Sequence, residues 1–160
     1  MNILGVSAFY HDSAVTLLQE GRITFAAQEE RYTRIKHDRN FPVHARHQAL
    51  KESKLSFNDI DAVAYYDKPL LTFERLFETW IAFAPHGLKS FMAALPVWLH
   101  EKLFLSKEID KGLSNQYDGP LYFMRHHHSH AASAFYPSPF QEAAVLTIDG
   151  VGAVSYTHLC

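Results

Sequence analysis

Four histidines fall within five residues in the run Arg125-His126-His127-His128-Ser129-His130. Histidine is the commonest metal ligand and the usual proton shuttle near neutral pH. If the run is helical, His126 and His130 lie one turn apart and project from the same face, where two imidazoles can grip one cation. The ordinary alternative is a pair of surface histidines, and the density of the run favours the metal.

The same spacing occurs in the His-Glu-x-x-His zinc helix, but His127 stands where that motif has Glu, which argues against hydrolytic zinc chemistry. A third ligand is available in Thr147-Ile148-Asp149-Gly150-Val151-Gly152. Open α/β folds place ligand-handling carboxylates at the carboxyl ends of strands, and Gly150 allows a sharp turn there. Two imidazoles and Asp149 make an N/O set with open positions, suited to Fe(II), Zn or Mn.

Two further groups carry possible chemistry. In Phe9-Tyr10-His11-Asp12-Ser13, a His beside an Asp on a polar turn can act as a general base toward an alcohol; the plain alternative is local turn hydrogen bonding. In Glu29-Glu30-Arg31-Tyr32-Thr33-Arg34-Ile35-Lys36-His37, the cations can hold phosphate or carbamoyl oxygens. A solvated charged loop is the simpler reading of that run unless the fold brings Lys36 to the other groups.

These residues need elements to hold them. Apolar patterning predicts strands over 2–9, 14–19 and 22–28, a meander whose first connection is the His-Asp-Ser tip and whose second is the Glu20-Gly21 turn. Asn40 and Pro42 signal the start of a helix over 43–54, and a strand comes next over 60–66. Phe73, Leu76, Phe77, Trp80, Ile81 and Ala84 recur at helical spacing as a packing stripe that Pro85 ends. Leu88, Phe91, Met92 and Leu95 repeat the pattern to Pro96, where a helix kinks or restarts and reaches Leu105. A strand over 121–124, a helix over 126–136 stopped by Pro137 and Pro139, and a buried strand over 143–148 complete the pattern.

At 160 residues the chain is long enough for one ordinary domain. Its 48% hydrophobic and 20% charged residues fit a folded soluble domain rather than a disordered segment. A net charge of −2 gives no reason to expect a nucleic-acid or anionic-membrane partner. The uncharged run over 90–99 is too short to span a bilayer, and the first residues lack a basic leader before an apolar stretch. The single cysteine, Cys160, permits no internal disulfide, so a cytoplasmic location is expected.

Taken together, L-G-V-S-A-F-Y-H-D-S-A-V, Q-E-E-R-Y-T-R-I-K-H, H-H-H-S-H-A-A-S-A-F-Y-P-S-P-F and A-V-L-T-I-D-G-V-G resemble the nodulation-type and antibiotic-tailoring O-carbamoyltransferases. They span almost all of residues 2–152. The resemblance implies the N-terminal portion of an α/β, actin-like (ASKHA, ribonuclease H-like) ATPase domain. In such enzymes a separate YrdC-like domain makes carbamoyl adenylate from carbamoyl phosphate and ATP. The actin-like domain then passes the carbamoyl group to a hydroxyl of a sugar or other small acceptor, with a bound metal, usually iron. By position, the resemblance casts His126, His130 and Asp149 as metal ligands, His11 as the residue activating the hydroxyl, and Lys36 as a contact to the transferred group or nucleotide.

The resemblance also implies parts not contained in these residues: a further carboxylate ligand, nucleotide-binding glycine loops and the YrdC-like domain. A chain without them is expected to be inactive alone. After Gly152 the family pattern continues with Glu-Trp, whereas residues 153–160 read A-V-S-Y-T-H-L-C. That stretch is set apart as an atypical tail, an artefact or a frameshift, and His158 and Cys160 receive no role. Two rivals share the histidines: a relative of the tRNA threonylcarbamoyladenosine ATPases, and a non-catalytic metal-binding module. The long aromatic insert from Pro69 to Gly119 and the His11-Asp12 turn favour the carbamoyltransferase over the first; metal titration of His126→Ala and His130→Ala variants tests the second.

Overall fold

A computed structural model of the chain describes residues 1–68, 77–78, 80–81, 92, 104–148 and 154–159. The predicted meander forms: β1 (Asn2–Ser7), β2 (Ala14–Gln19) and β3 (Arg22–Gln28) pair antiparallel in sequence. Glu20 and Gly21 take φ of 48° and 76°, the left-handed pair that lets a two-residue hairpin match the twist of its strands. Opposite Leu17 and Leu18 the pairing steps from Phe25 to Ile23, so Thr24 is the extra residue of a bulge in β3.

After β3 come a single turn, α1 (Glu30–Thr33), and the helix α2 (Val43–Ser53). The chain then enters β4 (Ala62–Tyr65), which lies parallel to β1, and later β5 (Leu121–Phe123), parallel to β4. The sheet order is therefore β3-β2-β1-β4-β5, a mixed five-stranded sheet in an α/β architecture. Because β1, β4 and β5 run in one direction, their carboxyl ends all lie on the same side of the molecule.

The core forms on one sheet face. Leu4 and Val6, Val15 and Leu17, and Val63 and Tyr65 are buried at alternate positions, as the period of two in a strand requires. Ala45 and Ala49 of α2 pack on them, small enough to let the helix sit close. A second helix, α3 (Leu105–Gly112), adds Leu105 and Ile109, and Leu113 lies one turn on. Arg46 of α2 donates from Nη1 to the Gly112 carbonyl and, at 3.0 Å, to Ser114 Oγ. That places a cation at the carboxyl end of α3, where the helix dipole favours it.

Several expectations need correction. The helix expected to reach Leu105 lies, through residue 103, outside the described residues; a helix not expected from the sequence runs from Leu105, and the i, i+4, i+8 series Leu105, Ile109, Leu113 marks its buried face. The strand over residues 143–148 exists as β6 (Ala143–Ile148), but it is not buried: Leu146 is 58% and Ile148 68% exposed. Among the described residues it pairs with β7 (Val154–Leu159) alone, in a two-stranded ribbon separate from the five-stranded sheet. Of the aromatic stripe, Phe77 and Trp80 have ring centroids 6.3 Å apart; most of the rest, and the restart at Pro96, lies outside the described residues. Among the described residues no helix is long and apolar enough to cross a membrane.

Candidate functional site

The histidine run opens helix α4 (His126–Phe135), directly after β5. Its start is fastened to the carboxyl end of β4 from two directions. Met124 N–H donates to the Tyr65 carbonyl at 2.9 Å, and Ser129 Oγ donates to the Tyr66 carbonyl at 2.8 Å. Ala131 and Phe135 supply the buried face that holds the helix down. The serine inside the histidine run is thus an anchor for the helix.

With the helix so placed, His126 Nε2 and His130 Nε2 stand 3.1 Å apart, their rings edge to face at 88°. Two nitrogens each about 2.1 Å from one ion subtend roughly 95° at this separation, a normal angle between neighbouring metal ligands. The donor chemistry therefore fits a divalent cation of the kind that accepts imidazole. Among the described residues no set of three His, Cys, Asp or Glu side chains gathers around a common point. Asp149, the expected third ligand, lies outside the described residues.

The tip between β1 and β2 carries a second group. His11 Nδ1 lies 2.8 Å from Asp12 Oδ2, and His37 Nδ1 lies 2.9 Å from Asp12 Oδ1. A carboxylate only accepts, so each imidazole donates from Nδ1 and turns Nε2 outward. The hydrogen bond from His37, and next that from His11, hold the Asp12 carboxyl below its ordinary value of 3.8. His37 was not singled out in the sequence, where it appears only as the end of a charged run.

That run is not a solvated loop throughout. Glu29 is 2% exposed, and its carboxylate accepts the backbone N–H groups of His44 at 3.0 Å and Ala45 at 2.8 Å, together with His44 Nδ1 at 2.6 Å. The two backbone N–H groups are donors of the first turn of α2 with no partner inside the helix, and a carboxylate there is favoured by the helix dipole. Asn40, expected to start this helix, instead donates to Asp38 Oδ1 from its backbone and side chain. Asp38 is buried and also accepts from Thr33 Oγ1 at 2.8 Å. The Asn40 backbone N–H is the main reason its carboxyl sits below the usual range.

Loop and hairpin tip are latched together by the backbone. Phe9 N–H donates to the Arg39 carbonyl at 2.7 Å, Ser13 N–H to Asp38 at 2.8 Å, and Glu29 N–H to Ser13 at 2.8 Å. Lys36 therefore rides on the loop that reaches the His11 turn, with its side chain exposed. The fold thus joins the third and fourth groups singled out in the sequence into one.

Each histidine group has an aromatic ring beside it. The Tyr10 ring stands 4.5 Å from that of His11, and the Tyr66 ring 5.7 Å from that of His126. Burial, aided by Asp67 and Tyr10, pushes the Tyr66 hydroxyl up to about 12, so it stays protonated at any physiological pH. Tyr66 also escaped the sequence reading; its only signal was a polar-tipped aromatic at the end of a strand. Both histidine clusters stand at the carboxyl ends of parallel strands, where open sheets bind ligands.

Comparison with known proteins gives this arrangement a context. Residues 2–160 match the family model described as "Carbamoyltransferase N-terminus". The chain is 52% identical over 164 aligned residues to an uncharacterized protein, sll1178, of Synechocystis sp., covering 99% of this chain and 27% of that protein. It is 31% identical over 147 residues to the nodulation protein NolNO of Sinorhizobium fredii, covering 91% and 20% respectively. An uncharacterized protein of Methanocaldococcus jannaschii, MJ1058, is 28% identical over 198 residues, covering 99% and 32%. The chain thus spans at most 32% of the length of these three relatives.

Proposed function

The chain belongs to the carbamoyltransferase family, matched to the N-terminal part of its members, and from that premise we propose that it forms part of the acceptor half of an O-carbamoyltransferase. The observation that carries the reading is the pairing of two histidine clusters at one end of the parallel strands, one suited to a cation and one to proton transfer. The five-stranded mixed sheet with its leading meander supports an actin-like (ASKHA) domain as the setting.

The reaction needs three things: a proton removed from an alcohol, a carbonyl polarised, and two reactants held together. His11 takes the first role. Its Nδ1 proton is committed to Asp12, so Nε2 accepts the acceptor's hydroxyl proton, and Asp12 then faces a cation. The hydroxyl oxygen bonds to the carbamoyl carbon of carbamoyl adenylate as the bond from that carbon to the phosphate oxygen breaks, and AMP leaves. Lys36 offers a positive charge toward the nucleotide or the transferred group.

His126, His130 and, by family position, Asp149 would hold a divalent cation, with Fe(II) favoured and Zn or Mn compatible. Such an ion supplies Lewis-acid polarisation of a bound oxygen. Carbamoyl adenylate itself comes from ATP and carbamoyl phosphate on a YrdC-like domain in the longer protein, and the acceptor is a sugar or another small alcohol.

The test supplies the full-length protein with ATP, labelled carbamoyl phosphate and a panel of hydroxyl compounds, glycosides among them. Label in an O-carbamoyl product, lost in His11→Ala, is the expected result. Release of labelled carbamate to water with every acceptor, unaffected by His11→Ala, would refute the reading.

A further inference from the structure

Asp12 has two carboxylate oxygens and two histidines, one on each: Oδ2 takes His11 and Oδ1 takes His37. We propose that His37 is a positioning residue for carbamoyl transfer, holding one oxygen of Asp12 so that the other fixes the Nδ1–H tautomer of His11. This rests on the reading of His11 as the base.

A single exposed Asp–His contact would be an ordinary surface pair of little consequence. Three features set this one apart. First, a carboxylate with one partner can turn about its terminal torsion, which is broad; a second donor on the other oxygen stops that turn. Second, Asp12 and His37 both adopt left-handed backbone, with φ of 51° and 55°. Phe9 and Arg34, at 70° and 61°, do the same on the same hairpin and loop. Strained backbone gathers where surrounding structure over-determines it, and functional sites are where it persists. Third, the fold enforces the approach. Ser13, next to Asp12, donates to Asp38, next to His37, and His37 N–H donates to Glu30 Oε2 at 3.1 Å. Twenty-five residues separate Asp12 from His37 in sequence, yet their neighbours are tied together directly.

The chemical consequence concerns His11. A neutral imidazole carries its proton on either nitrogen, and the hydrogen bond made by one nitrogen selects the form. Only the Nδ1–H form leaves an Nε2 lone pair for the acceptor hydroxyl. His37 itself gains and loses no proton in the step; it keeps Asp12 oriented before and after.

The test uses full-length protein with ring-15N-labelled histidine and compares wild type with His37→Ala, His37→Phe and His37→Asn. Asn offers an N–H close to the place of Nδ1; Ala and Phe offer none. Expected is a fall of about threefold or more in the Nδ1–H share of His11 in His37→Ala and His37→Phe, with recovery in His37→Asn. Transfer from preformed carbamoyl adenylate to glycerol, as hydroxyl probe, should slow about tenfold in the first two and return to within about twofold in the third. An unchanged His11 tautomer in both Ala and Phe variants overturns the proposal, as does wild-type transfer in them alongside an inactive His11→Ala. If instead His11→Ala transfers at the wild-type rate while the tautomer still responds to His37, the base reading has failed and the positioning contact stands.

Discussion

The Glu29 carboxylate, at the end of β3, accepts the backbone N–H of Ala45 at 2.8 Å, sixteen residues onward in the first turn of α2. Together with the His44 contacts it caps the start of the helix and ties it to the end of β3, closing the intervening loop that carries Lys36 and His37. Replacing Glu29 by Gln keeps the size but turns an acceptor-only group into one with two donors, facing N–H groups. We expect a loss of about 2 kcal/mol in urea unfolding for Glu29→Gln, and about 3 kcal/mol or more for Glu29→Ala, which leaves buried donors unmet. A midpoint unchanged from wild type in Glu29→Ala would show that the cap is dispensable.

Tyr65 donates its hydroxyl to the Ala8 carbonyl at 2.6 Å, in a buried position between the ends of β4 and β1. Removing only the oxygen, in Tyr65→Phe, leaves that carbonyl unsatisfied and should cost about 1–2 kcal/mol. Burial drives the Tyr65 hydroxyl strongly upward, so the loss should be the same at pH 6 and pH 9. A loss that grows with pH would mean the hydroxyl ionises.

Acid should weaken the chain through its depressed carboxylates. Asp38 is lowered chiefly by the Asn40 N–H, Asp12 by His37, and Asp59 by the Ser56 N–H. A carboxyl whose folded value lies below its unfolded value binds fewer protons when folded. Its contribution is complete above the ordinary Asp value of 3.8 and disappears as pH falls below it through the depressed values. Thermal midpoints should therefore decline below that pH, and Asp38→Asn should flatten part of the decline. An identical acid profile for Asp38→Asn and wild type would remove Asp38 from the explanation.

For the cation, full-length protein purified with Fe(II) or Zn(II) should retain metal in proportion to chain, and His126→Ala or His130→Ala should weaken retention by more than about tenfold. Elemental analysis after dialysis reads this. Metal held equally by the double variant would place the cation elsewhere.

Much of this was legible in the residues. The meander, the Glu20-Gly21 turn and the helical spacing of His126 and His130 come from short-range patterning, because a two-residue turn or a helical face is decided within a few positions. Long-range partnerships were less visible. Glu29 looked like one charge among several because its partner N–H groups lie fifteen and sixteen residues away. His37 looked the same because Asp12 lies twenty-five residues back. The apolar run of β6 reads as buried from sequence alone; its exposure reflects which layers surround it, a property of packing rather than of the strand. The loop that carries Lys36 is tied to the hairpin tip through Phe9–Arg39 and Ser13–Asp38 backbone hydrogen bonds, contacts between residues too far apart in sequence for local patterning to show.

The central claim is that both histidine clusters serve one transfer step. Full-length protein should be mixed with preformed, labelled carbamoyl adenylate and a hydroxyl acceptor, and O-carbamoyl product measured over a single turnover. This bypasses adenylate synthesis and isolates the chemistry assigned to His11 and to His126 with His130. The expected result is a fall of about a hundredfold or more in His11→Ala and in the His126→Ala/His130→Ala double variant. Product formed at the wild-type rate by either variant would contradict the claim.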